Sequence, residues 1–157
     1  MLFVLVPALF FEVPTDAQGN LMASKHHHRR ITGADLKKTV PTTQAGTLPA
    51  PVAPDLSDNT IYFTQGDKFV TITISYPQMA AGQELDQHLQ FIKADGTKGN
   101  NWTFTHTLSA EEAQAKKVTW EVSMSLFHPE NYPRVDIYYV VTITKKETSK
   151  SLELKIK

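Results

Sequence analysis

The chain of 157 residues contains no cysteine, which excludes disulfides, thiolate zinc sites and cysteine nucleophiles. It also lacks a charge excess, because 16 lysines and arginines balance 16 aspartates and glutamates and the formal net charge is zero. A dedicated nucleic-acid binder normally carries a marked basic excess, and a chain near zero net charge tends to associate. The composition therefore predicts no nucleic-acid partner and favours association with further copies of itself.

Long hydrophobic runs are missing as well. The opening MLFVLVPALFF is broken by Pro7 and stops before Glu12, well short of the ~20 apolar residues that a membrane-spanning helix needs. No basic residue precedes this run, the first being Lys25, whereas a secretory signal begins with a positively charged region. We predict that the segment belongs to the working protein and does not span a membrane.

Proline is distributed unevenly and divides the chain. Six of the nine prolines fall in residues 1–57, four of them within PTTQAGTLPAPVAPDLSD, residues 41–58. That stretch has no hydrophobic periodicity, and its prolines favour the extended, semi-rigid polyproline II conformation. We predict an N-terminal anchoring arm over residues 1–40, a proline-rich linker over residues 41–58 and a globular domain over residues 59–157.

Alternation of apolar and polar residues dominates the globular region and is typical of β-strands. It is clearest in VTWEVSMSL (118–126) and VDIYYVVTIT (135–144), and it recurs in FVTITISY (69–76) and WTFTHTL (102–108). Shorter strands are predicted at residues 61–64, 89–93 and 152–156. Because each strand has one apolar face, two sheets must pack face to face to bury them. We predict an all-β, seven-stranded immunoglobulin-like β-sandwich, preceded by an extended arm and a proline-rich linker.

Two capping patterns predict short helical turns between the strands. Ser109 and Glu112 have the spacing of a capping box and open SAEEAQAKK, residues 109–117. Thr32 is a plausible N-cap with Asp35 in the first turn that follows it.

The arm carries more apolar side chains than so short a segment can bury by itself. These residues are contiguous, as expected of strands buried on both faces. We predict that they bind a partner, and the predicted residues are Leu2, Phe3, Leu5, Leu9, Phe10 and Phe11.

A basic segment, SKHHHRRITGADLKK (24–38), follows the apolar part of the arm. Consecutive histidines cannot face one metal ion well, because good ligand pairs lie at i, i+2 in a strand or i, i+4 in a helix. Weak metal binding is one interpretation. The favoured interpretation is contact with acidic groups of a partner, since arginine pairs well with carboxylates and phosphates. The predicted contact residues are His26, His27, His28, Arg29 and Arg30, and no metal site is predicted.

No catalytic constellation is evident. His88, His106 and His128 form no triad pattern with a serine or aspartate at a spacing that a sequence can support. We predict that the protein is not an enzyme and has no cofactor.

Aromatic residues suggest an alternative function, recognition of a glycan or protein by an adhesin-like module on a cell or virion surface. Trp102, Trp120 and Tyr139 fall on core-facing positions of their strands, whereas Tyr132 and Tyr138 are predicted to be exposed. Tyr132 and Tyr138 are therefore the candidate ligand-binding residues.

The order of the regions resembles the decoration (cement) proteins of tailed bacteriophage capsids. The resemblance rests on an N-terminal anchoring segment, the spacer PTTQAGTLPAPVAPDLSD and terminal sandwich strands such as VTWEVSMSL and VDIYYVVTIT. It implies a structural protein on the capsid surface of the virion, whose arm contacts the major capsid protein and stabilises the expanded shell. Head-fibre, tail-associated and bacterial envelope proteins share this layout, so another assembly subunit or the bacterial cell surface is the alternative.

Overall fold

A computed structural model describes residues 29–39, 46–63 and 69–157. Most of the predicted contact residues of the arm lie outside the described residues: Leu2, Phe3, Leu5, Leu9, Phe10, Phe11, His26, His27 and His28.

The regular structure of the described residues consists of ten strands and one α-helix. In chain order these are β1 (Arg29–Ile31), β2 (Lys37–Lys38), β3 (Thr60–Ile61), β4 (Phe69–Ile74), β5 (Glu84–Ile92), β6 (Lys98–Thr107), α1 (Ala110–Ala115), β7 (Val118–Ser123), β8 (Arg134–Thr142), β9 (Lys146–Thr148) and β10 (Leu152–Ile156). Short 3-10 turns occupy Gly33–Asp35, Ser57–Asn59 and Met124–Leu126.

The strands form two sheets. The smaller has the order β1-β7-β4, and the larger has the order β2-β6-β5-β8-β10-β3, with β9 also paired to β8. Neighbouring strands are antiparallel except for the β1–β7 and β10–β3 pairs, which are parallel. Because β1 and β2 are joined by a short turn, they lie at the same edge of the sandwich, and β4 and β3 lie at the opposite edge.

The core lies between the apolar faces of the two sheets. Alternate residues are buried along β4 and along β7, as their sequences predict, and β8 buries Val135, Ile137, Tyr139 and Val141. Each of the seven predicted strands overlaps an observed one, and β1, β2 and β9 are additional. The all-β prediction is confirmed, and the sheets are arranged as a sandwich.

Both predicted helical turns are present. The backbone N–H of Glu112 donates to Ser109 Oγ at 3.2 Å, and the Ser109 N–H donates to the Glu112 carboxylate at 2.8 Å. These reciprocal bonds cap α1. At the start of the 3-10 turn Gly33–Asp35, the Thr32 N–H donates to the Asp35 carboxylate at 3.0 Å.

Residues 29–39, predicted to be part of the arm, belong to the sandwich. Arg29, Arg30 and Ile31 pair in register with β7, and Ile31 is completely buried in the core. Lys37 and Lys38 pair with β6. The predicted boundary at residue 40 is therefore corrected for this segment, because backbone pairing and one buried isoleucine attach it to both sheets.

Residues 46–58, predicted to be part of an extended linker, also pack on the sandwich. Leu48 and Ala53 are buried in the core. Val52 exchanges two backbone hydrogen bonds with Thr73 of β4, at 2.9 and 2.8 Å. The proline-rich composition correctly excludes a regular strand here, but isolated apolar residues hold this segment against the sheets. The linker prediction is corrected for these residues.

Candidate functional site

Arg29 and Arg30 are the two predicted contact residues of the basic segment that the structure describes. Both lie in β1, at the edge of the smaller sheet and directly after residues 1–28. The arm therefore joins the sandwich at this strand.

The Arg29 side chain connects β1 to the larger sheet. Its guanidinium carbon lies 4.7 Å from the centre of the Phe104 ring, and Nη1 lies 3.3 Å from Nδ1 of His106. Arginine can only donate, so Nδ1 accepts and the ring proton is on Nε2. That nitrogen lies 2.9 Å from the Glu112 carboxylate, which it reaches as a donor. A continuous hydrogen-bonded chain therefore runs from Arg29 to the cap of α1.

The hydrogen bonds to Glu112 hold its carboxyl group in the charged form. Burial by itself would raise the pKa of the Glu112 carboxyl, but hydrogen bonds from Ser109 and His106 outweigh it and hold the pKa below its usual value. The His106 ring is half-buried. These contacts fix the point at which the arm leaves the sandwich.

Arg30 lies on the outward face of the smaller sheet. Its Nε donates to the Glu121 carboxylate at 3.0 Å, and its guanidinium carbon lies 4.5 Å from the centre of the Phe69 ring. Arg30 thereby links all three strands of this sheet, yet its side chain remains 65% exposed. Its contact with a partner stays a prediction.

The two edges of the sandwich differ in charge. Four of the five residues of β1 and β2 are basic: Arg29, Arg30, Lys37 and Lys38. Charged side chains on edge strands oppose pairing with another chain. At the opposite edge, β4 has the sequence FVTITI and carries neither charge nor proline.

Val52 covers only one end of β4, where it pairs with Thr73. The backbone groups of alternate residues point to the same side of a strand, so the N–H and C=O of Thr71 point away from β7, like those of Thr73. Val52, Tyr62 and Phe63 are the exposed large hydrophobic residues of the described chain, at 52%, 60% and 48%. We call the backbone of residues 69–72 together with these three side chains the open edge.

The open edge could not be found from the sequence, because the order of the strands in the sheet decides which strand lies at its edge. The alternation in FVTITISY predicts a strand with one buried face but says nothing about its position in a sheet. The absence of a charged or proline residue within FVTITI is the one signal in the sequence that distinguishes this edge strand from the basic β1 and β2.

Tyr138, a predicted ligand-binding residue, is not exposed as predicted. It is 7% exposed and its ring stacks on His88 of the neighbouring strand, with 4.5 Å between centroids and 3° between planes. The Asn101 side-chain amide donates to the Tyr138 hydroxyl at 3.0 Å. Cross-strand packing on the outward face of the larger sheet therefore buries a residue that alternation places towards solvent.

Tyr132, the other predicted ligand-binding residue, is half-buried. Its ring packs on Phe91, with 5.3 Å between centroids, and lies against Gly99, where a Cβ atom would come within 2.4 Å of the tyrosine ring. Any residue other than glycine at position 99 would have to displace the Tyr132 ring.

His88 makes stability depend on pH. Burial lowers the pKa of His88, and Asp86 and Asn101 offset only part of that effect. The folded chain therefore binds fewer protons than the unfolded chain, whose histidines titrate near ~6.5. Stability is present above that pH and is lost as the pH falls below it. We expect the free energy of unfolding to decrease from about pH 7 to about pH 5.5, by at most about 1.4 kcal/mol per pH unit from this residue.

Urea denaturation at a series of pH values measures this dependence. His88→Gln should flatten it, and His128→Gln, which changes an exposed histidine, is the matched substitution. An unchanged slope in the His88→Gln chain would show that His88 is not responsible.

Among the described residues, no group of three or more histidine, aspartate and glutamate side chains is placed to hold a metal ion. No helix in the described ranges is long and apolar enough to cross a membrane. Comparison of the chain with protein-family models, with curated proteins and with solved structures finds no match. The functional interpretation therefore rests on the residues of this chain.

Proposed function

We propose that this is a non-enzymatic structural protein that docks onto a larger assembly through its N-terminal arm. The assembly we propose is the capsid of a tailed bacteriophage, whose shell the protein decorates and stabilises while the sandwich is displayed on the virion surface. The observation that carries the proposal is the attachment of the arm at β1, a strand that is itself fixed to both sheets through Ile31 and Arg29.

The arm has the chemistry of an anchor. Residues 1–11 contain no charged side chain, and most of them are large and apolar. Burial of one such side chain in a partner contributes about 1.5–3 kcal/mol, so several together can exceed the cost of ordering an extended segment and losing its freedom. The proposed contacts are those of Leu2, Phe3, Leu5, Leu9, Phe10 and Phe11.

The basic edge next to the arm suits an acidic partner surface. Lys37 and Lys38 are exposed and form no ion pair within the part of the chain that the structure describes. Arg30 keeps most of its side chain exposed although it contacts Glu121. Together with His26, His27, His28 and Arg29, these residues would place a row of donors beside the docked arm, and the major capsid protein would supply carboxylates.

Co-sedimentation with purified capsid shells of the phage that encodes the chain tests this proposal. The full chain should sediment with the shells and saturate, and a chain that begins at Arg29 should not. Changing Lys37 and Lys38 to glutamine should weaken binding and reduce its dependence on salt. Equal binding by the full and shortened chains would contradict an anchoring arm, and a gene located outside any phage genome would contradict the capsid assignment.

We favour this function over the adhesin-like alternative. It depended on Tyr138 and Tyr132 as an exposed aromatic platform, and one of these side chains is buried while the other packs on Phe91.

A further inference from the structure

Within the described residues, the open edge of β4 differs from the other edges because β4 is not short and carries no charge, proline or bulge that opposes strand pairing. Natural sheets protect their edges with charges, prolines, bulges or short strands. The edge formed by β1 and β2 has four basic residues, and β3 is only two residues long. β4 is six residues long, and its residues are those that favour strands: phenylalanine, valine, threonine and isoleucine.

The backbone of β4 has unused hydrogen-bonding capacity along this edge. Of the described residues, Val52 alone bonds to its outer side, and only at Thr73. Phe69 and Thr71 have the same orientation as Thr73, so their N–H and C=O groups are available to a further strand. The exposed side chain of Val52 lies at one end of this stretch. Tyr62 and Phe63, which are also exposed, precede β4 in the chain.

The chain contains a segment of matching length and chemistry. Leu2–Val6 is five residues of leucine, phenylalanine and valine without a charge, and Pro7 ends the run. Five residues are enough to extend along residues 69–72, the part of β4 that Val52 leaves unpaired. Proline cannot donate to a ladder, so pairing would stop where the run stops.

We propose that the open edge receives Leu2–Val6 of a second copy of this chain, which adds to the smaller sheet as a fourth strand. This inference rests on the proposed function, since it takes the arm to be the docking element, and it names a further copy as one partner of that arm. Strand addition of this kind gains affinity from backbone bonds and specificity from the side chains beside them.

A second copy fits this role better than the chain's own arm. The arm joins its own sandwich at β1, and β1 and β4 are on opposite edges of the smaller sheet. Its own arm therefore starts from the far edge of this sheet, whereas an arm from a neighbour can approach β4 directly. The absence of net charge leaves little long-range repulsion between copies. Since the arm of one copy meets the edge of another, the contact is head-to-tail and can continue from copy to copy.

A spin label on the arm tests where Leu2–Val6 binds. The chain has no cysteine, so Ala8→Cys gives a single attachment point on an unlabelled full chain, which is then mixed with ¹⁵N-labelled full chain. We expect the amide signals of Phe69 and Thr71 to broaden and those of Lys37 and Lys38, on the other edge, to remain sharp. If the β4 amide signals broaden only when the spin label and ¹⁵N are on the same chain, the chain's own arm binds there. That result would overturn the proposal. So would sharp β4 signals in both samples.

A proline substitution tests the backbone pairing itself. Thr71→Pro removes the edge N–H without removing a bond to β7, and Thr71→Val changes the side chain but keeps that N–H. In sedimentation velocity, we expect the full chain and its Thr71→Val variant to form larger species as concentration rises. The Thr71→Pro variant should need at least tenfold more protein. Equal association of all three chains would overturn the proposal.

A second variant covers the possibility that Thr71→Pro does not fold. Tyr62→Ser combined with Phe63→Ser changes only exposed side chains and should also weaken association, by at least threefold. Unchanged association in this double variant, when Thr71→Pro is unfolded, would overturn the proposal. If these variants associate like the unmodified chain while the full chain still sediments with capsid shells, the edge contact is contradicted. The anchoring arm remains supported.

Discussion

A chain that begins at residue 40 is expected to lose most of its stability, whereas a chain that begins at Arg29 should keep it. The difference between the two is β1 and β2. Their loss removes Ile31 from the core. Truncation of a buried isoleucine to alanine costs about 2–5 kcal/mol, so a loss of this size is expected. Loss of the two strands also removes the pairing of β1 with β7 and of β2 with β6, at about 0.5–1.5 kcal/mol per hydrogen bond. A domain of this size has only about 5–15 kcal/mol in total.

Urea denaturation followed by circular dichroism compares the full chain with the two shortened chains. Ile31→Ala in the full chain is the matched variant, because it removes the buried side chain and keeps the backbone of β1. It should account for about 2–5 kcal/mol of the loss. If the chain that begins at residue 40 unfolds at the same urea concentration as the chain that begins at Arg29, β1 and β2 do not contribute to stability.

Trp120→Ala should be strongly destabilising. Trp120 is 2% exposed in the central strand of the smaller sheet, where Arg29 of β1 and Ile72 of β4 flank it. Its ring centroid lies 6.4 Å from that of Phe104 on the larger sheet. Removing so large a buried side chain costs about 3–5 kcal/mol. Since the indole N–H has no hydrogen-bond partner within the described part of the chain, Trp120→Phe should recover much of the loss.

The other tryptophan is the control. Trp102 lies in β6 and is only partly buried, so Trp102→Ala should cost less than half as much as Trp120→Ala. Tryptophan fluorescence during urea denaturation measures both, since each variant leaves one tryptophan as the reporter. Equal losses in the two variants would contradict a core centred on Trp120.

Alternation in the sequence predicted the strands that have one buried and one exposed face. β4 and β7 follow it residue by residue and β8 departs from it at the buried Tyr138, and so the all-β fold could be predicted. β5 was placed too late, at residues 89–93, because its first half buries Gln87 and His88 in addition to Leu85. Polar side chains buried by their neighbours on adjacent strands do not appear in a hydrophobic pattern.

The short strands β1 and β2, held by distant partners, could not be predicted. β1 has three residues, two of them arginine, and its only reason to be extended is the register with β7, about ninety residues away. In the sequence it looks like a basic surface segment. Likewise, Leu48, Val52 and Ala53 are separate apolar residues among prolines, and only the finished sheet edges give them something to contact.

The candidate site was predictable only in its chemistry. Contiguous apolar residues identified the arm as a docking element, and that stays a prediction. The open edge depends on strand order, and the burial of Tyr138 depends on its stacking with His88, neither of which is local in sequence.

The parallel pairing of β1 with β7 has a mechanical consequence. If the arm is anchored and the sandwich is pulled away, the load enters at Arg29, the first residue of β1. When tension acts along the strand, it shears the β1–β7 hydrogen bonds together instead of opening them one after another. Ile31 in the core and the contacts of Arg29 with Phe104 and His106 resist the same displacement. β1, although short, can therefore resist a pulling force on the arm that would only extend an unpaired linker.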